Sequence, residues 1–152
     1  MPNIFGFSHV DLTVSDAERS AAWYQQVLGL EHAYTNESPG TFSGRIISLL
    51  HPPTGMILSL VQHQHPEPGT FSEFRVGLDH LSFAVQARDD LEAWVVEFDR
   101  TGVGHSGVID MWYGSALVFR DPDGIQLEFF VAAPAPELAA HGVDDWERDR
   151  TS

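Results

Sequence analysis

The sequence predicts an α+β protein made of two copies of one module, each a strand, a helix and then three strands. Three observations predict it. The segment His9-Val10-Asp11-Leu12-Thr13-Val14, with Ala21-Ala22-Trp23 and Gly29 behind it, recurs as His80-Leu81-Ser82-Phe83-Ala84-Val85 with Ala93-Trp94 and Gly102. His9 to His80 and Trp23 to Trp94 keep one common spacing, and self-similarity of this kind fixes an architecture before any local reading does. The far ends of the copies also match, Pro52-Pro53-Thr54-Gly55 leading to Ser59 and Asp121-Pro122-Asp123-Gly124 leading to Glu128.

Residues 8–14 alternate in period two and read as a strand. Ser15-Asp16-Ala17-Glu18 supplies a capping box that starts a helix, and Gly29 ends it. A strand near 31–35 follows, then a loop at 36–44 rich in Asn, Ser, Pro and Gly, a strand at 45–51 and a hairpin into 56–63. The expected organisation is a module at 4–63, a linker at 64–76 and a second module at 77–131, together forming one domain over 4–131. In the second copy the strand lies at 78–85, the helix at 88–101, and strands near 106–112, 115–120 and 125–131. Asp121-Pro122-Asp123-Gly124 reads as a tight turn, because Pro presets one dihedral and Gly takes the positive one. The Ala, Pro and acidic residues of 132–152 read as a tail.

At 152 residues with 43% hydrophobic, the chain is long enough to bury a core without staples. It has no cysteine, so thiolate metal sites, disulfides and cysteine nucleophiles are excluded and any metal must be held by nitrogen and oxygen. Eight Lys and Arg stand against 22 Asp and Glu, a formal charge of -14 that repels a phosphate backbone. Nucleic acid is therefore not an expected partner. Neither a basic and apolar leader nor a run of membrane-spanning length is present, so the expectation is a cytoplasmic protein with no membrane partner.

Strand parity assigns faces. Val10, Leu12 and Val14 form an apolar side that must pack under a helix, leaving His9 on the other; Leu81, Phe83 and Val85 do the same and leave His80. Leu127, Phe129 and Val131 alternate with Gln126, Glu128 and Phe130. His9, His80 and Glu128 thus fall on helix-free faces, which two adjacent modules would curve into a cup. Two imidazoles and one carboxylate with open positions are a ligand set for a divalent ion, and the ion offsets the cost of burying the carboxylate. Fe2+, Mn2+, Zn2+ and Ni2+ all suit such donors.

With these residues in place the sequence resembles the vicinal oxygen chelate superfamily, the glyoxalase, bleomycin-resistance and extradiol dioxygenase group. The resemblance rests on His9 to Val14 with Trp23-Tyr24 and Leu28-Gly29-Leu30, and on Gly77 to Val85 with Phe119-Arg120-Asp121-Pro122-Asp123-Gly124-Ile125-Gln126-Leu127-Glu128. It implies paired βαβββ modules around a curved, cup-shaped mixed sheet with helices outside, a homodimer, and a divalent ion that polarises an oxygenated small molecule. It also places His9, His80 and Glu128 on the ligand positions and Ser59 on the fourth. Glyoxalase I and methylmalonyl-CoA epimerase carry Glu or Gln there, so Ser59 counts against both. Three ligands are similar to extradiol dioxygenases and fosfomycin-modifying transferases; but Val118 replaces the dioxygenases' Tyr, and an acidic chain suits an anionic phosphonate poorly. The implied activity is a metal-dependent lyase, isomerase or dioxygenase. The alternative the family offers is an antibiotic-sequestering protein, which would have no use for the triad.

Four further positions, together with Ser59, complete the expected site. His63 shares strand parity with Ser59, and an imidazole is the side-chain type suited to act as a general acid or base. Trp112 and Tyr113, before Gly114, would wall the pocket, and Phe130 and Ser59 would line it. Trp23 and Trp94 are read as anchors seating each helix on its sheet.

Overall fold

The computed structural model describes residues 4, 6–38, 44–67 and 69–140. It divides into two compact units, Met1–Phe71 with Asp121–Gly124, and Ser72–Arg120 with Ile125–Ser152. Each unit holds one βαβββ module. The first runs β1 (Val10–Thr13), α1 (Ala17–Leu28), β2 (Glu31–Ser38), β3 (Gly44–His51) and β4 (Met56–His63); the second runs β5 (Leu81–Ala84), α2 (Arg88–Thr101), β6 (His105–Met111), β7 (Gly114–Arg120) and β8 (Gln126–Ala132). A short α3 follows at Ala135–Ala140, and the rest of the tail lies outside the described residues.

The two sheets are four-stranded and mixed, ordered β1-β4-β3-β2 and β5-β8-β7-β6. The opening strand of each lies parallel to the last, Val10 opposite Leu58 and Leu81 opposite Leu127, while the other pairs are antiparallel. A parallel pair needs a long crossover, and in each copy the helix and two strands provide it.

Local chemistry explains the ends of the helices. Asp16, and not Ser15, caps α1, its carboxylate accepting from the Arg19 N–H at 3.0 Å. The capping box expected at Ser15 to Glu18 does not form: the Ser15 N–H and hydroxyl go to Asp123, and a simple cap stands one residue on, at Asp16. Gly29 closes the helix in the left-handed region at φ 66°, where a side chain would be strained. At the start of α2 the Asp90 carboxylate accepts from the N–H groups of Gln86 and Ala87.

Helix α1 buries Ala17, Ser20, Ala21 and Tyr24, the spacing of one face, against β3 and β4. Tyr24 rather than Trp23 is the anchor. Neighbouring helix positions point about 100° apart, so with Tyr24 inward Trp23 is left half-buried with its ring edge-on to Tyr24. In the second unit Leu91 and Phe98 are fully buried. Trp94 stacks on Phe129 at 4.5 Å, and Phe98 lies 4.9 Å from Phe119. Here the tryptophan does help to seat its helix.

Strand β2 continues to Ser38 through residues expected to be loop. Asn36 pairs with Ile46 and Ser38 with Gly44, so ladder bonds to β3 override the local turn composition. Residues 39–43 of that loop lie outside the described residues.

Gly114 opens β7 beneath the ring of Phe130. A Cβ there would lie 2.5 Å from the ring and 2.4 Å from the Val131 carbonyl oxygen, so no side chain fits without displacement. Gly114→Ala is expected to destabilise the protein by about 1–3 kcal/mol, the usual range for overpacking. Urea unfolding checks it, and an unchanged midpoint would show that the Phe130 ring and the β8 backbone at Val131 both give way freely.

Candidate functional site

Backbone pairing puts Ser59 and His63 on one face of the first sheet and Glu128 and Phe130 on one face of the second, while His9 and His80 stand just before β1 and β5. In the first unit Asp11 lies opposite Ser59 and Ser48 opposite Ser59, while Thr13 pairs with Val61. Residues directly opposite share a face, so Asp11, Thr13, Ser48, Ser59, Val61 and His63 look the same way. His9 leads into β1, exposed, with its Nδ1 3.0 Å from the Ser8 hydroxyl and its Nε2 3.9 Å from Asp11. Ser59 is buried, its hydroxyl 2.9 Å from that of Ser48. His63 Nε2 stands 3.4 Å from the Thr13 hydroxyl.

In the second unit the geometry is tighter. Glu128 pairs with Ser82 on one side and Val118 on the other. The Ser82 hydroxyl donates to Glu128 Oε1 at 2.7 Å, and His80 Nε2 lies 3.8 Å from the same oxygen. His80 Nδ1 is 2.6 Å from Asp79 Oδ1. An ionised carboxylate only accepts, so Nδ1 carries a proton, and in the neutral ring the Nε2 lone pair then lies on the Glu128 side. Asp79 is exposed, which makes the contact worth little to stability, but it still selects the tautomer.

This donor set fits a divalent ion. A ligand histidine normally gives its other N–H to a carboxylate, and a ligand carboxylate is itself held by a hydrogen bond; His80 with Asp79 and Glu128 with Ser82 reproduce both. Among the described residues no three His, Asp or Glu side chains cluster in a way that could hold a metal ion. The second unit brings His80 and Glu128 together, and His9 stands on the first. Asp79 and Ser82 were not singled out from the sequence, although an acid directly before His80 and a hydroxyl two positions after it, on the same face, were the available signals.

An aromatic surface adjoins this face. Trp112 and Tyr113 form the β6–β7 turn, edge-on at 5.3 Å and both exposed, and Tyr113 lies 6.1 Å from Phe130. Phe130 pairs with Ala116 and Ala84 on the helix-free side. A separate cavity of about 610 Å³ opens near the start of α2 beside Arg88, Asp110 and Ser115. There Arg88 forks onto Asp110 at 2.8 and 2.9 Å, and that bond together with the Ser115 hydroxyl holds the Asp110 carboxyl down at about 2.

Comparison with known proteins places this geometry among relatives. The family model described as the Glyoxalase/Bleomycin resistance protein/Dioxygenase superfamily matches residues 6–129. MhqA of Bacillus subtilis (strain 168), named as a candidate ring-cleaving dioxygenase, is 25% identical over 129 residues; the match takes in 85% of this chain but only 40% of MhqA. The glutathione transferase FosA of Serratia marcescens is 28% identical over 139 residues, covering 88% of this chain and 85% of FosA. Among solved structures, a glyoxylase/bleomycin resistance protein/dioxygenase domain from Frankia sp. EAN1pec superposes with a TM-score of 0.76 at 30% identity, over 86% of this chain and 94% of that one. No helix among the described residues is long and apolar enough to cross a membrane.

Proposed function

Because the chain belongs to the glyoxalase/bleomycin resistance protein/dioxygenase superfamily, we propose that it is a metal-dependent enzyme acting on an oxygenated small molecule. His9, His80 and Glu128 would hold one divalent ion, Fe2+, Mn2+, Zn2+ or Ni2+. The observation that carries this reading is the pairing of His80 with Asp79 and of Glu128 with Ser82, which leaves one imidazole lone pair and one carboxylate oxygen facing each other. When bound, the ion supplies Lewis acidity toward substrate oxygens.

The chain's own residues do the rest. Asp79 keeps the proton on His80 Nδ1, and Ser82 orients the Glu128 carboxylate. His63, beside Thr13, exchanges a proton with the bound molecule. Ser59 and Ser48 form a polar floor, while Phe130, Tyr113 and Trp112 offer apolar surface to the carbon body of the substrate.

Charge narrows the substrate. Arg19, Arg45, Arg88, Arg100 and Arg120 are each paired with a carboxylate. Five of the six described arginines are thus engaged by carboxylates, Arg75 being the sixth, so a neutral molecule with adjacent oxygens and an apolar or aromatic body fits better than an anionic phosphonate. Val118, opposite Glu128, also adds no charge to that wall. A homodimer is part of the same proposal.

The test is a screen of metal-reconstituted protein against catechols, with and without oxygen, and against 2-oxo thiohemiacetals. Turnover that stops on chelation is expected, and an oxygen-dependent product would select ring cleavage. Tight binding of a cationic antibiotic by the metal-free protein, with no turnover of either class, would contradict the reading and identify a sequestering protein.

A further inference from the structure

The turn Asp121–Gly124 joins β7 to β8 of the second module, yet it packs as part of the first unit. Its Asp123 carboxylate accepts from the Ser15 N–H at 2.8 Å, from the Ser15 hydroxyl at 2.5 Å and from Arg19 Nη2 at 2.7 Å. Arg19 Nη2 also donates to the Ser15 hydroxyl at 2.9 Å, closing a triangle. Asp121, only 6% exposed, accepts from the Tyr24 hydroxyl at 3.2 Å and from the Asp123 N–H at 2.9 Å. Burial, and then the Asp121 charge, raise the Tyr24 phenol far above its ordinary range, so it remains a donor.

A Pro-Gly turn closes without any of these bonds, since its own link, Gly124 N–H to the Asp121 carbonyl at 3.0 Å, suffices. What the extra bonds do is fix the turn against the start of α1. Gly124 leads into β8, which carries Glu128, and Ser15 lies two residues beyond β1, which His9 leads into. The turn therefore ties together the chain segments that carry two of the three candidate ligands. Strand pairing to β5 and β7 sets the neighbours of β8, and the pinned turn sets where that strand begins.

We infer that Ser15, Arg19 and Tyr24 are positioning residues for Glu128, acting through Asp121 and Asp123. The inference rests on the proposed metal site, and Mn2+ alone serves as the probe. Full-length wild type, Arg19→Ala, Arg19→Lys, Asp123→Asn and Ile47→Val are compared for Mn2+ affinity by electron paramagnetic resonance and, separately, for melting of the metal-free protein. Arg19 is half-exposed, so its variants are not expected to unfold even if Asp123→Asn does.

Arg19→Ala and Asp123→Asn are expected to weaken Mn2+ binding about tenfold, the lower end of what groups supporting a metal ligand contribute, and to alter the Mn2+ spectrum. Arg19→Lys, which keeps one donor, recovers most of the loss. Ile47→Val, a core change in the first unit, lowers the melting temperature but binds Mn2+ like wild type. Melting shifts without any change in Mn2+ affinity in Arg19→Ala and Asp123→Asn would overturn the positioning role while leaving the metal site standing. Failure of the wild type to bind Mn2+, and likewise Fe2+, Zn2+ or Ni2+ by titration, would instead remove the metal reading itself.

Discussion

Glu128→Ala lowers Mn2+ affinity by more than about 100-fold. The bound rests on comparison, since partners that only support a ligand are worth 10- to 100-fold and a ligand oxygen must exceed them. Metal-free protein should scarcely notice the change. Glu128 donates nothing to the fold; it accepts one hydroxyl, Ser82, which regains water when the carboxylate is removed. Loss of affinity without loss of melting temperature separates a ligand from a structural residue. Isothermal titration of metal-stripped protein reads the first quantity and scanning calorimetry the second. An affinity within a few-fold of wild type would mean that Glu128 is only the hydrogen-bond partner of Ser82.

The second large effect is on stability. Phe98→Ala should cost about 3–5 kcal/mol, the range for truncating a buried phenylalanine. Phe98 is fully buried, tilted against Phe119 at 4.9 Å and stacked on Phe129 at 6.0 Å, with Trp94 alongside at 5.5 Å. Removing it opens a cavity among rings that cannot close without moving α2. The urea midpoint should fall while the slope of the transition holds, because the surface exposed on unfolding barely changes. A loss below about 1 kcal/mol would show that the aromatic cluster collapses to fill the space.

Much of the fold was legible because the repeated segments carry their own boundaries. The alternation after His9 and His80 gave the opening strands, Gly29 and Gly102 gave the helix ends, and Asp121-Pro122-Asp123-Gly124 gave the β7–β8 turn. What escaped was decided at long range. Ser15 had the local signature of a cap, but Asp123 takes its N–H and hydroxyl, and the cap passes to Asp16. Tyr24 displaced Trp23 as the anchor because a buried acceptor, Asp121, reaches its hydroxyl from a segment far along the chain. Strand β2 outran its predicted end because β3 supplied partners for residues whose composition favours a turn.

The site was legible at the level of faces. Period-two parity put His9, His80 and Glu128 on the sides away from the helices, and in the second sheet the register sets Ser82, two residues after His80, opposite Glu128. The hydrogen bonds that prepare the ligands were not legible in the same way. Asp79 holds His80 through a contact between adjacent residues, which sequence position allows but does not require, and Ser82 meets Glu128 only because the strands pair in this register.

The central claim is that two imidazoles and the Glu128 carboxylate share a single ion. Pulsed electron paramagnetic resonance on Mn2+-titrated protein, wild type and each of His9→Ala, His80→Ala and Glu128→Ala, tests it most directly. The account predicts one Mn2+ per chain with hyperfine coupling to two histidine nitrogens, one coupling vanishing in each histidine variant. Mn2+ that shows no nitrogen coupling, or couplings that persist unchanged in both His9→Ala and His80→Ala, would contradict it.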